Sequence, residues 1–180
     1  MFVSPIPAKF ADFGDTNTGV GRGWDVALRC GIVVDHLVIE LTAVQTHPLR
    51  LDVLRRGTPS RDVAFREDDL PSTLHLGVEV DGVVVAVSTW IRNPYPDMPS
   101  TVGAQLRGMA TAPEMRGHGI GGLLLVTGVE RMFASGCDLV WAHARDTALT
   151  FYERHGFVRR GTGYVDVVTG VLHHDIVRSR

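Results

Sequence analysis

The chain has 180 residues, 44% of them hydrophobic and 21% charged, with 18 basic and 20 acidic side chains and a formal charge of −2. That length fits one compact domain, and that apolar content supports a buried core, which excludes a generically disordered chain. The slightly acidic balance excludes a basic footprint for sequence-independent nucleic-acid binding.

Residues 1–34 differ from the rest. Pro5 and Pro7 open the segment, and Gly14, Gly19, Gly21 and Gly23 follow within ten residues. Such a stretch is costly to order and weakly periodic, so it is expected to be an N-terminal arm with a short helical piece around Trp24–Cys30. Cys30 and Cys137 stand far apart, with no C-x-x-C pair, which argues against a disulfide framework or structural zinc and for two buried free thiols. The opening MFVSPIPAKFADFGD lacks a charged start followed by an apolar run. No stretch reaches the roughly 20 apolar residues of a membrane span. The expectation is a soluble, cytoplasmic protein.

The domain proper is expected over 35–180. His36–Leu41 predicts a first strand, and Thr46–Arg56 a helix capped at Thr46 near Pro48, with Leu51 and Leu54 facing inward. Thr73–Val80 and Val83–Trp90 predict a hairpin turned by Asp81-Gly82, since both turn positions tolerate positive φ. The three prolines of Asn93–Gly103 make that stretch a loop. Gln105–Ala112 follows as a strand, and Arg116–Gly122 opens a long helix ending near Ala134 at Ser135-Gly136. Leu139–Ala144 reads as a buried strand. Thr147–His155 reads as a short helix capped by Asp146 and closed by Gly156 and Phe157. Two strands, near Phe157–Arg160 and Val171–Arg178, finish the chain. The order β-α-β-β-β-α-β-α-β-β specifies an α+β (mixed α/β) fold, a central mixed and mostly antiparallel sheet flanked by helices.

The most informative segment is Leu106–Leu125, where a strand and a short turn at Pro113 lead to glycines 117, 119, 121 and 122 at the start of an apolar helix. The first amides of a helix have no intrahelical acceptor and the dipole is positive there, so such a site favours an anion. Arg116 adds a positive charge. Gly117, Gly119 and Gly122 also satisfy G-x-G-x-x-G, the dinucleotide-binding fingerprint. Thr111-Ala112-Pro113-Glu114-Met115-Arg116 lead up to the first glycine, however, so the strand does not run directly into it, and only 58 residues remain after Gly122, too few for the further βαβ units. No Gly-Lys-Ser/Thr follows, which excludes a Walker loop.

Arg116-Gly117-His118-Gly119-Ile120-Gly121 resembles the R/Q-x-x-G-x-G/A signature of the GNAT superfamily of acyl-CoA-dependent N-acyltransferases, and Ala148–Phe157 resembles its A-x-x-F-Y-E-x-x-G-F helix and turn. The two motifs stand in the family's order, and the match covers roughly residues 105–160. The resemblance implies a GNAT-like fold and acetyl-CoA as co-substrate. It implies that the amides at Arg116, Gly117, His118, Gly119, Ile120 and Gly121 hold the coenzyme pyrophosphate, and that Met109, Ala110 and Thr111 bond the pantetheine arm. It also implies that Tyr152 lies near the sulfur and protonates the departing thiolate, a task suited to a phenol of ordinary pKa about 10. Many relatives carry Asn where Arg145 or His143 stands here, so side-chain contacts to the coenzyme at those positions do not carry over.

The acceptor side is less defined by the letters. Glu79 shares a strand face with His75 and Gly77 and is the base candidate for the amine; an exposed polar strand face is the alternative. His143 shares a face with Leu139 and Trp141 at a strand C-terminus, and is either a packed histidine or a cleft residue. Glu114 belongs to the phosphate turn. His173 and His174 point to opposite faces, and no metal site is read. Tyr95 and Met98 of the Pro-rich loop either line the acceptor pocket or connect strands. The function implied is acetyl transfer from acetyl-CoA to a primary amine by direct attack in a ternary complex, with neither cysteine in an acyl-carrying motif. The alternative is a non-catalytic acyl-CoA sensor or scaffold. Acetyl-CoA and an amine are the expected partners, without nucleic acid or membrane, and sheet-edge or arm-mediated homodimers are compatible with the sequence.

Overall fold

The computed structural model describes residues 38–180; the expected N-terminal arm, the helical piece around Trp24–Cys30 and Cys30 itself lie outside the described residues. Within them the elements are β1 (Val38–Glu40), α1 (Ala43–Leu49), β2 (Leu74–Val80), β3 (Val83–Arg92), β4 (Gly103–Thr111), α2 (Ile120–Ala134), β5 (Leu139–Arg145), α3 (Leu149–Arg154), β6 (Val158–Val165) and β7 (Leu172–Ser179). The seven strands form one sheet in the order β1-β2-β3-β4-β5-β7-β6. Only β4 and β5 run parallel; every other neighbouring pair is antiparallel. This is the mixed, mostly antiparallel sheet that the element order predicts.

The β2–β3 hairpin turns at Asp81 (φ 51°) and Gly82 (φ 76°), the positive-φ pair that the dipeptide specifies. The first helix departs from expectation. Its cap is Thr42: the Thr42 side chain accepts from the Gln45 amide and the Gln45 side chain accepts from the Thr42 amide, a reciprocal capping box. Thr46 lies inside the helix, fully buried, with its hydroxyl donating to Ala43 O at 2.6 Å. Pro48 also sits inside, and its missing N–H leads into a wider π-type turn over Arg50–Leu54. The short helix near the C-terminus likewise begins later. Asp146 opens a 3₁₀ turn without capping it, and its carboxylate instead accepts from His174 Nε2 at 3.1 Å.

Two layers cover the sheet. On one face Leu41, Val87 and Ala110 pack against Leu49, Val53 and Leu54 of α1 and its π-type extension. On the other, α2 buries Ile120, Leu124, Leu125, Val129 and Met132, a 3.6-residue stripe, with Gly128 against the indole of Trp90. Each fully buried leucine of that stripe contributes about 1.5–3 kcal/mol. Cys137 is buried and free. Among the described residues no helix is long and apolar enough to cross a membrane.

Candidate active site

The parallel contact of β4 and β5 is short, running from Gly103↔Leu139 to Leu106↔Ala142. Beyond it β4 stays with β3 as far as Thr111↔Ala86, while β5 stays with β7 as far as Arg145↔His173. The two strands therefore part, and the edge of β4 facing β5 is unpaired from Arg107 onward. A bulge drives the separation: Gly108 and Met109 oppose Ser88 alone. Gly108 adopts φ 59°, and a Cβ there would lie 2.8 Å from Phe65 and 2.9 Å from Arg50, so only glycine fits. The split opens a cavity of about 300 Å³, the lower end of the range for small-molecule sites.

Beneath the bulge lies a buried polar network that sequence reasoning missed. Arg50 donates to both carboxylate oxygens of Asp68, at 2.7 and 3.0 Å, and also to Thr89 Oγ1 and Val63 O. The two side chains are 1% and 4% exposed. Burial opposes the Asp68 charge, but the Arg50 hydrogen bonds, the Phe65 amide and the Arg50 charge outweigh it, and its pKa falls below the usual 3.8. His75 joins through Thr89 Oγ1 at 2.9 Å and Asp68 O at 3.0 Å. Phe65, held by this network, lies between the guanidinium groups of Arg50 and Arg107, each 4.2 Å from the ring centroid, and forms part of the cavity wall. No sequence pattern marks this network, because residues 57–72 carry neither helix nor strand periodicity.

Tyr152 lines the same cavity. It sits on α3, whose Leu149 and Tyr152 face inward. The helix ends in a Schellman turn, with Phe157 N–H donating to Tyr152 O (3.2 Å) and Gly156 N–H to Glu153 O (3.1 Å). The rings of Tyr152 and Phe157 pack edge to face. These contacts fix the phenol, whose hydroxyl lies 3.7 Å from Met109 Sδ on β4. Burial pushes its pKa up to about 12, so the hydroxyl keeps its proton at neutral pH.

The glycine loop follows β4 through the 3₁₀ turn Pro113–Met115. Gly117 (φ 82°) and Gly119 (φ 79°) are both left-handed, with open space where a side chain would project. Gly119 is the N-cap of α2 and supplies no side chain to its amides. The backbone N–H groups of residues 117–122 have no hydrogen-bond acceptor among the described residues. A Cβ on Gly121 would stand 3.3 Å from Thr111 Oγ1 and 3.7 Å from Phe151, which places the loop between the end of β4 and α3.

The expected acceptor residues separate. Glu79 is exposed beside the hairpin turn, paired with Val84, and is not part of the cavity wall. His75 is buried in the Asp68 network. Tyr95 packs into a core cluster with Leu139, Trp141 and Val177, and Met98 is exposed. His143 does line the cavity, beside Arg145 and His173. Arg145 donates to Leu54 O at 2.6 Å; burial, then the charge of Arg55, lowers its pKa from the ordinary arginine value.

The site is thus a mixed sheet split between its parallel strands, with a Gly-rich helix start beside the split and a buried phenol on its wall. Residues 42–157 match the acetyltransferase (GNAT) family model, and the chain belongs to that family of N-acetyltransferases. The uncharacterised N-acetyltransferase YitI of Bacillus subtilis (strain 168) is 24% identical over 137 residues, 76% of this chain and 91% of YitI. Escherichia coli ElaA shares the fold with a TM-score of 0.66 at 17% identity, over 80% of this chain and 99% of ElaA. An acyl-CoA N-acyltransferase from Pseudomonas aeruginosa does so with a TM-score of 0.64 at 19% identity, over 80% of this chain and 99% of its own.

Proposed function

We propose that the domain spanning residues 35–180 transfers an acetyl group from acetyl-CoA to a primary amine, by direct attack in a ternary complex. The observation that carries this reading is the split between β4 and β5, which has an unpaired strand edge, a buried phenol and a row of unbonded amides along one path. In this reading the amides of residues 117–121 hold the pyrophosphate, aided by the positive end of α2 and by the Arg116 guanidinium, while the Arg116 amide already donates to Pro113 O at 3.3 Å. The open edge at Met109–Thr111 bonds the pantetheine amides as an adjacent strand would. The bound amine attacks the thioester carbon, a C–N bond forms and the C–S bond breaks. Tyr152 gives its proton to the sulfur as it leaves, and the attacking nitrogen returns one to the phenol oxygen.

Thiol release from acetyl-CoA, followed with a chromogenic disulfide across a panel of amino acids, polyamines and peptides with free N-termini, tests the reaction. The expected result is amine-dependent release. Acetyl-CoA binding without release for any amine would support the sensor reading instead.

Gly119→Val tests the donor site. The valine side chain occupies the open space at the loop and disfavours φ 79°, so acetyl-CoA affinity is expected to fall by about tenfold or more, roughly 1.4 kcal/mol. Calorimetry on a folded variant checks this, and unchanged affinity would remove the loop from the site. Gly119→Ala, with less bulk, is expected to lose less.

A further inference from the structure

The side chain of His143 is 45% exposed on the cavity wall, yet one edge of its ring is held firmly. Directly across the β5–β7 ladder stands Asp175, whose Oδ1 lies 2.6 Å from His143 Nδ1. Tyr164 of β6 reaches the same place, with its hydroxyl 2.5 Å from Nδ1 and donating to Asp175 Oδ1 at 3.1 Å. It arrives there through a bulge in which residues 161–163 oppose His174 alone. Tyr95 donates to the other carboxylate oxygen at 3.4 Å. The Trp141 ring meets the imidazole edge to face, with centroids 5.1 Å apart. Nε2 has no hydrogen-bond partner among the described residues.

This arrangement selects one tautomer. Asp175 is an acceptor, so Nδ1 carries the proton and donates it, and Nε2 keeps its lone pair. Burial, and then Asp175, raise the pKa of Tyr164, so its phenol remains a donor to the carboxylate. The result is an imidazole fixed in orientation on the wall of the cavity that Tyr152 also lines, with Nε2 unbonded among the described residues.

We propose that His143 is the base that deprotonates the acceptor amine, with Asp175 and Tyr164 as its positioning residues. The proposal rests on the acetyltransferase reading above. The ammonium gives one proton to Nε2, which passes it to solvent. The neutral amine attacks the thioester carbon, and the C–S bond breaks as sulfur takes the Tyr152 proton. The second amine proton restores the Tyr152 hydroxyl, so the sum is amide, free thiol and one released proton. The other titratable or charged groups around His143 are Arg145 on its own strand, His173 on β7, Asp166 of the β6–β7 turn, and Arg55 and Arg107 of the cavity wall. Arg107 is paired with Glu67 at 3.1 Å, and Asp166 is tied to Thr169.

Three measurements test this. Long-range ¹H–¹⁵N spectra of the imidazoles, assigned with His143→Gln, are expected to show His143 protonated at Nδ1 in the parent and a mixed tautomer in Asp175→Asn. An Nε2-protonated His143 in the parent would overturn the proposal, and this result does not depend on knowing the acceptor. With the fastest amine of the panel, His143→Gln is expected to lower kcat/KM by about 10²–10⁴-fold. The acidic limb of the pH profile should vanish, while acetyl-CoA affinity and melting temperature stay at parental values. His143→Ala should regain rate on adding imidazole, which a purely structural histidine does not permit. Full turnover by a folded His143→Gln would overturn the base while leaving the acetyltransferase reading intact. Failure of the parent to acetylate any amine would instead bear on that reading, and the tautomer would still decide the geometry.

Discussion

Tyr152→Phe is expected to lower kcat by about 10²–10⁴-fold and to leave KM for acetyl-CoA nearly unchanged. The substitution keeps the ring that packs against Phe151 and Phe157 and removes only the hydroxyl beside Met109 Sδ. The buried phenol, with its pKa pushed up to about 12, holds its proton through the neutral range, and it gives that proton to the departing sulfur only as the attacking nitrogen refills the oxygen, so that no free phenolate is left. The interaction forms as the C–S bond breaks, so its loss belongs to the transition state and falls on kcat. Steady-state kinetics on the best amine, with calorimetric acetyl-CoA binding as the control, checks the split. A Tyr152→Phe enzyme with full turnover would reduce Tyr152 to a packing residue. A rise in KM alone would place its hydroxyl on the ground-state coenzyme.

Asp68→Ala is expected to cost about 3–5 kcal/mol of folding stability, because it leaves the buried Arg50 guanidinium without its carboxylate. Against a typical total of about 5–15 kcal/mol, that is a large share. Arg50 is nearly inaccessible to water, and its Nε, which lies against Gly108, has no partner to fall back on. The pH dependence has a definite sign. The folded pKa of Asp68 is lowered, so its stabilisation is fully present above the unfolded value near 3.8 and is lost as pH falls through the lower folded value. Urea unfolding of the parent and of Asp68→Asn should therefore converge in acid, separate as pH rises from the lower folded value toward 3.8, and stay a constant distance apart above it. Parallel pH curves would show that the carboxylate charge does not support the pair. Because Phe65 hangs on the same carboxylate through its amide, acceptor KM should rise in both variants while acetyl-CoA binding changes less.

How much of this was legible in the letters depends on the range of the interaction. Asp81-Gly82 specifies its turn because two neighbouring residues alone set the backbone angles. The glycine loop and the Tyr152 helix are readable for the same reason. Their geometry comes from helix ends and a closing turn, whose signals lie within about ten residues, and the resemblance to the GNAT family rests on those two segments. The α1 start shows the limit of local reading: the letters point to Thr46 as the cap, and the folded chain caps at Thr42 because Gln45 reciprocates there and Thr46 is buried.

Which strand residues reach the cavity was decided by tertiary structure. Glu79 and His143 were both readable as strand residues near a cleft, and alternation alone cannot say which strand borders the opening. That depends on where β4 and β5 part, which the Gly108 bulge sets through contacts to Phe65 and Arg50 far away in the chain. Likewise the partners of His143 arrive from Asp175, 32 residues on, and Tyr164, 21 residues on. The sequence by itself determined the element order, the glycine loop at the start of α2 and the placement of Tyr152 on its short helix, because each is a local backbone preference. Only the folded sheet decided which histidine meets which carboxylate, because cross-strand register is set by the whole sheet and by bulges whose effect is felt several strands away.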